Sequence, residues 1–410
     1  MRTREEFLSR FPKVPVDAAF SGPRDLAGVY GLNPSGVGAV RDAYGVGRHR
    51  LGPFYTWITA SMLKDFRAQV QSEPNRKFAF VARDGHVLAA AVRGLDPDFF
   101  QRYCVEVVLS RRIAEQAMVS WERRTQKPFP IGSSLRTHYV KDMTLEYLTS
   151  YLRRTGLPVG EPRSAITLVD NGFRGTTQEV LTRLYPQTDF RGAYAFYGAS
   201  PQDKNVDRKK GYVLHLGVEH WRGGPVEFLP DREDLTFLCN SALWILEDLC
   251  PGPKNTAMRI TEEGPDQSEE EVWEWWNQPV RIAPQYRDSL VREAMLSAVL
   301  LGVAHYARGV DSDAPKVRAG FDDFTRQIRY WITKDRRVDP WLATFFNSFT
   351  GRRRCPPEPL ALDGVSLRKV LGPRVAGRGN LQETGRPPLP RIESEWRWPQ
   401  HRGAVRSTRK

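Results

Sequence analysis

Short apolar runs alternate with polar, glycine-containing loops through the first half of the chain. Lys77–Ala82 (KFAFVA) and residues 105–109, 165–169 and 192–197 are short, predominantly apolar stretches, and 211–216 is a weaker fifth. None shows the every-other-residue alternation of a strand with one wet face, so each reads as a strand covered on both sides. Between them the spacing changes to three and four. Phe54, Trp57, Ile58, Met62, Leu63, Phe66 and Val70 predict a helix over 51–75, broken at Glu73-Pro74-Asn75. Residues 86–94, 145–155 and Thr176–Leu184 predict three more. Strand, polar loop and helix in repetition predict an α/β fold with a parallel, Rossmann-like sheet. Ligands of such sheets sit outside the carboxyl ends of the strands.

The rest of the chain has other patterns. Residues 1–50 are rich in Gly and Pro, with Asn33-Pro34-Ser35-Gly36 as a turn signal, and read as an irregular arm packed on the body. Helical spacing over 235–249, 287–308, 321–331 and 341–349 predicts a mostly α-helical second region. An acidic stretch over 262–274 leads into Trp273, Trp275 and Trp276, which read as packing anchors. The expected organisation is an arm (1–50), an α/β phosphate-binding domain (51–234), a helical cap or second domain (235–350) and a tail (351–410).

Charge changes the picture only at that tail. Of the formal net charge of +13 over 410 residues, the last 60 carry +9, from 14 Lys/Arg against 5 Asp/Glu. The same segment holds 8 Pro and 7 Gly, a composition that does not support a packed core. The tail is expected to be flexible, and the body is left with an unremarkable balance. Cys104, Cys239, Cys250 and Cys355 form no C-x-x-C pair, which argues against a disulfide framework and a zinc ribbon. No secretory signal pattern and no uncharged apolar run of about 18 residues is present, so the expectation is a cytoplasmic protein without a membrane partner.

Three polar clusters each follow a predicted strand. The most informative is ITLVDNGFRGTTQ, residues 166–178. Amides at the start of the following helix, with the Thr176 and Thr177 hydroxyls, suit a phosphate; Arg174 adds a guanidinium, and Asp170 can hold ribose hydroxyls or a metal. Asn171, Gly172, Gly175 and Gln178 complete this candidate binding loop. The structural alternative is a strand–helix turn in which Asp170 caps the helix and the glycines give backbone freedom. After the first strand come Arg83, Asp84 and Gly85, with Asp84 as metal ligand or general acid/base and Arg83 as anion clamp; here the alternative is a capped turn. Ser110, Arg111 and Arg112 end the second strand and also suit an anion, or form a solvated basic loop. Catalysis is assigned to Asp84 and Asp170. Mg2+ on the same two residues is expected only where diphosphate leaves, and no organic cofactor is expected. His215, Glu219 and His220 meet no strict metal spacing. Ser133 and Ser134 lie in no G-x-S-x-G elbow, and no G-x-x-x-x-G-K-[ST] loop occurs. Glu247 lies on a helix that buries Leu243, Ile245 and Leu246, where it reads as a surface ion pair or as an outlying member of the rim.

The ordered segments GPFYTWI, FVARDGHVL, VVLSRR, LVDNGFRGTTQEVL and LEDLCPGP resemble the carboxyl-terminal region of large bacterial proteins that join it to a haloacid-dehalogenase-type domain and belong to surface-polysaccharide gene clusters. The resemblance covers about residues 50–260. It implies the same architecture, with an ARDG end at Ala82–Gly85, a serine–arginine at Ser110 and Arg111, and a D-x-G-x-x-G-[ST]-x-Q loop at Asp170–Gln178. The dehalogenase nucleophile motif D-x-D-x-T is absent, so phosphoryl-aspartate chemistry is not expected. The Asp170–Gln178 loop is also similar to the diphosphate loop of type I phosphoribosyltransferases. It departs from that pattern in having Asn171 where the second acid stands and in being one residue shorter. These likenesses imply binding of a phosphorylated nucleotide or sugar phosphate, with phosphoribosyl- or glycosyl-type transfer as the expected reaction. The other reading is a nucleic-acid-associated or partner-docking protein working through residues 351–410, with Trp396 and Trp398 as anchors.

Overall fold

Five strands form one parallel sheet: β1 (Lys77–Ala82), β2 (Cys104–Val108), β3 (Ser164–Asp170), β4 (Thr188–Gly198) and β5 (Lys209–Leu216), in the order β2-β1-β3-β4-β5. The fold is therefore α/β and Rossmann-like. The computed structural model describes residues 1–129, 143–200, 203–217, 225–268 and 289–349, all within the compact unit Met1–Ala376. Residues 351–410 with Trp396 and Trp398 lie outside the described residues, as do Ser133, Ser134, Glu219, His220, Trp273, Trp275 and Trp276.

The missing alternation in the strand sequences has a direct cause. Phe78 and Phe80 of β1 enter one apolar cluster, while Ala79 and Val81 enter another on the opposite face. Both faces are dry, so both sets of positions are apolar.

In chain order the helices are α1 (Arg4–Arg10), α2 (Val16–Ala19), α3 (Pro23–Val29), α4 (Pro34–Val46), α5 (Gly52–Ser72), α6 (Gly85–Leu95), α7 (Pro97–Tyr103), α8 (Arg111–Thr125), α9 (Thr144–Arg154), α10 (Thr176–Leu184), α11 (Asn240–Leu249), α12 (Ser289–Arg308), α13 (Pro315–Ile332) and α14 (Pro340–Phe349). Apolar residues of α8, α9 and α10 cover one face of the sheet. Those of α5 and α6 cover the other, continuous with α11, α12 and α13.

The first 50 residues differ from the irregular arm expected of them, because their prolines start helices. Pro23 and Pro34 occupy first-turn positions of α3 and α4, where the absent N–H is no loss and the fixed φ suits the helix. Asn33, read as part of a turn, caps α4 by accepting from the Gly36 amide at 2.9 Å.

At the centre of the helical layer lies α12. Its best 18-residue window has a mean hydropathy of 1.3, enough by length and composition to cross a bilayer, yet 67% of that window is buried inside the protein. Its apolar surface is met by α4, α5 and α6.

A buried charge cluster pins α6 to β2. Glu106 accepts from Arg93 and pairs with His86 Nδ1 at 2.8 Å, with its side chain only 6% exposed. Burial pushes the Glu106 carboxyl up, but the Arg93 charge and the His86 hydrogen bond outweigh it and hold the group below its ordinary range. A carboxyl depressed on folding stabilises the fold above its unfolded pKa of about 4.3, and that contribution is lost as pH falls through the folded value. Glu106→Gln is therefore expected to lower the urea midpoint clearly at pH 6 and by a smaller margin at pH 3.5. An equal loss at both pH values would contradict the linkage.

Candidate functional site

The strand order decides where the three polar clusters meet. β1 lies between β2 and β3, with Ala82 opposite Val108 and Phe80 opposite Val169. The loops leaving these strands thus share the carboxyl-end rim. The chain leaves β1 into α6 on one face and leaves β3 into α10 on the other. At such a switch point the two loops diverge and open a crevice between them.

Asn171 joins the two sides. Its side chain is buried, and Nδ2 donates to the Asp84 carbonyl oxygen and to the Tyr55 hydroxyl, each at 3.3 Å. Its own backbone amide donates to Asp170 Oδ1 at 2.8 Å. The loop then runs beside β4, with Phe196 N–H donating to the Asn171 carbonyl at 3.0 Å and Gly198 N–H to the Phe173 carbonyl at 3.1 Å. Gly172 (φ +95°) and Gly175 (φ +67°) supply the left-handed turns this path requires. Gly85 has a different reason: a Cβ there would stand 3.1 Å from the Phe80 carbonyl carbon and from the Val169 oxygen.

Electrostatics couple the residues of the separate loops. Asp84 occupies the N-cap position of α6 but makes no side-chain cap there. Burial, followed by the neighbouring Asp84 charge, drives Asp170 well above the usual carboxylate range; the Asn171 N–H opposes this, Glu247 adds to it, and Arg111 opposes it. The two aspartates therefore act on each other, and a proton or a cation between them relieves the repulsion. Arg174 is pushed below its ordinary value by desolvation and then by the Arg111 charge. Arg83, Arg111 and Arg174 make no side-chain ion pair among the described residues. Gly175 cannot cap α10 through a side chain, so the first-turn amides beside the half-buried Thr176 and Thr177 lack that partner.

Two of the sequence-selected residues carry framework bonds. Ser110 caps α8 by accepting from the Ile113 amide at 3.1 Å and donates its proton to the Ala257 carbonyl at 2.7 Å. Gln178 is buried and donates to the Phe190 carbonyl at 3.1 Å, tying α10 to β4. His215 is exposed and accepts from the Gly211 amide at 3.0 Å. The Glu247 charge adds to the rise at Asp170.

Sequence reasoning overlooked three members of this region. Tyr55, from α5, and Cys250, just past α11, stand 3.7 Å apart (Sγ to hydroxyl) under Asn171. Lys209, at the start of β5, is fully buried and donates to Arg174 O at 3.1 Å and Glu179 Oε1 at 2.8 Å, and to Asp203. Lys209 falls in no motif; Tyr55 and Cys250 lie inside the GPFYTWI and LEDLCPGP segments, but nothing in those segments marks either residue as a neighbour of Asn171.

Among the described residues no three His, Cys, Asp or Glu side chains gather as a metal set. An open groove of about 380 Å³ is lined by Gln69, Thr167, Asp189, Arg191, Lys209 and Lys210. Several of its charges are paired with one another or with neighbours: Asp189 with Arg76, Arg191 and Arg208, and Lys210 with Asp65. No family model and no curated protein matches the chain.

Proposed function

We propose that the carboxyl-end rim binds a phosphorylated nucleotide or sugar phosphate and transfers its glycosyl or phosphoribosyl group. The observation that carries this reading is the meeting, at the β1/β3 switch point, of two mutually repelling aspartates with arginines that make no side-chain ion pair among the described residues. Unpaired guanidinium groups and uncapped helix amides are donors that suit phosphate oxygens. Carboxylates are acceptors that suit sugar hydroxyls.

In this reading Arg83, Arg111 and Arg174 neutralise the anionic leaving group as charge develops on it. The Gly172–Thr177 turn holds phosphate, and Asp170 holds the sugar or a metal. Asp84 serves as base, or as metal ligand where diphosphate is the leaving group. Two rim carboxylates fit Mg2+, which is commonly held by one or two carboxylates with substrate phosphates completing its shell. Asp84 and Asp170 would hold it, and it would supply neutralisation of a departing diphosphate.

Calorimetry with phosphoribosyl diphosphate and with nucleotides, with and without Mg2+, tests the reading. Asp170→Asn is expected to weaken the bound ligand by about tenfold or more, the worth of a hydrogen bond to a charged group. Equal affinity in both proteins would remove Asp170 from the site, and no binding by wild type would remove the reading altogether.

A further inference from the structure

The fully buried Lys209 has no place in the chemistry above, yet its ammonium group touches the carrier of that chemistry. Of its three donor directions, one goes to the Arg174 carbonyl at 3.1 Å, one to Glu179 in the first turn of α10 at 2.8 Å, and one to Asp203. A Cβ on Gly175 would lie 3.1 Å from Lys209 Cε and 2.6 Å from the Tyr194 hydroxyl, so the lysine and the tyrosine lie directly against the turn.

A trans peptide unit points its carbonyl and its N–H in opposite directions. Lys209 draws the Arg174 carbonyl inward, toward the buried charge cluster. The amide of Gly175 in the same peptide plane then faces away from that cluster. Gripping Glu179 as well fixes the first turn of α10 relative to this peptide.

We propose that Lys209 is the positioning residue of the anion-binding turn: by holding the Arg174 carbonyl it aims the Gly175 amide, the Arg174 side chain and the start of α10 at the ligand phosphate. The inference rests on the proposed phosphate site. It goes beyond that site in assigning the geometry to a buried cation on another strand. It also accounts for a lysine at a position where an apolar residue would otherwise serve, because an apolar side chain cannot bond a carbonyl.

The test compares Lys209→Met with Arg76→Met, a second loss of a buried cation, placed beside Glu73 and Asp189 rather than the turn. Binding of inorganic phosphate and of phosphoribosyl diphosphate is measured by calorimetry at 10 °C, with folding confirmed by circular dichroism. Lys209→Met is expected to weaken both ligands about tenfold or more, while Arg76→Met leaves affinity near that of wild type. Lys209→Arg, which can still reach a carbonyl, is expected to recover part of the loss. Should Lys209→Met fail to fold, Glu179→Gln, which loosens the same grip, is measured in its place, with a smaller loss expected. Unchanged affinity in the folded Lys209 or Glu179 variant, or equal losses in it and the Arg76 variant, would overturn the positioning role. Absence of phosphate binding by wild type would instead overturn the site itself.

Discussion

Gly302→Ala is expected to destabilise the protein by about 3 kcal/mol, the upper part of the range for overpacking a closed core. Gly302 lies where α12 crosses the turn after α4. A Cβ at this position would stand 2.5 Å from the Tyr44 carbonyl oxygen, 2.6 Å from the Arg48 amide nitrogen and 2.9 Å from the Gly47 carbonyl carbon. All three are backbone atoms, so no rotamer change relieves the contact; the helices must separate. Gly94 of α6 approaches α12 in the same way, with a Cβ there 2.5 Å from the Ala304 carbonyl. Separating α12 from its neighbours opens voids among Val40, Ala43, Leu51, Val299 and Val303, all buried at present. Urea denaturation measures the effect, and Gly309→Ala is the control. Gly309 ends the same helix, and the nearest atom to its Cβ, the His305 carbonyl oxygen, is at an ordinary 3.5 Å. A midpoint for Gly302→Ala within error of the control would show that the crossing is looser than its geometry implies.

The contrast between these glycines bears on what the sequence reveals. The strands and most helices were legible because dryness on both faces of a sheet, or on one side of a helix, writes itself as a local period. Lys77–Ala82 and Thr176–Leu184 fall where the spacing puts them. The convergence of the three loops was legible as well, because strand ends of a parallel sheet share a rim. What escaped was of two kinds. Prolines at helix starts look the same in sequence as prolines that break structure, and Pro23, Pro34 and Pro97 all belong to the former. Arg111 and Arg112 disguised α8 in a similar way, since two cations in a first turn oppose the helix dipole. Contacts between distant segments escaped entirely. Lys209 bonds a carbonyl 35 positions away and Cys250 meets a tyrosine 195 positions away; no periodicity encodes such meetings.

Gly172→Ala combines a fold effect with a site effect and is expected to destroy ligand binding even where the chain still folds. Gly172 has φ +95°, beyond the left-handed region that other residues visit, so alanine there costs about 1–3 kcal/mol in backbone strain alone. Its Cβ would also be driven into the Phe196 carbonyl oxygen and would stand 3.2 Å from Tyr194 Cβ. The loop can escape only by leaving β4, which breaks the bonds from Phe196 N–H to Asn171 O and from Gly198 N–H to Phe173 O. Asn171 then carries its links to Asp84 and Tyr55 away with it, and Arg174 loses its register with Lys209. The expected result is a urea midpoint lowered by the equivalent of about 3 kcal/mol, with phosphate and phosphoribosyl diphosphate affinity reduced beyond the loss caused by Asp170→Asn. The reason for the larger effect is that the aspartate variant removes one carboxyl group, whereas the glycine variant displaces the segment that carries Asn171, Arg174 and the start of α10. Calorimetry on the folded fraction separates the two. If Gly172→Ala binds as wild type does, the ligand is held elsewhere than in the turn between β3 and α10.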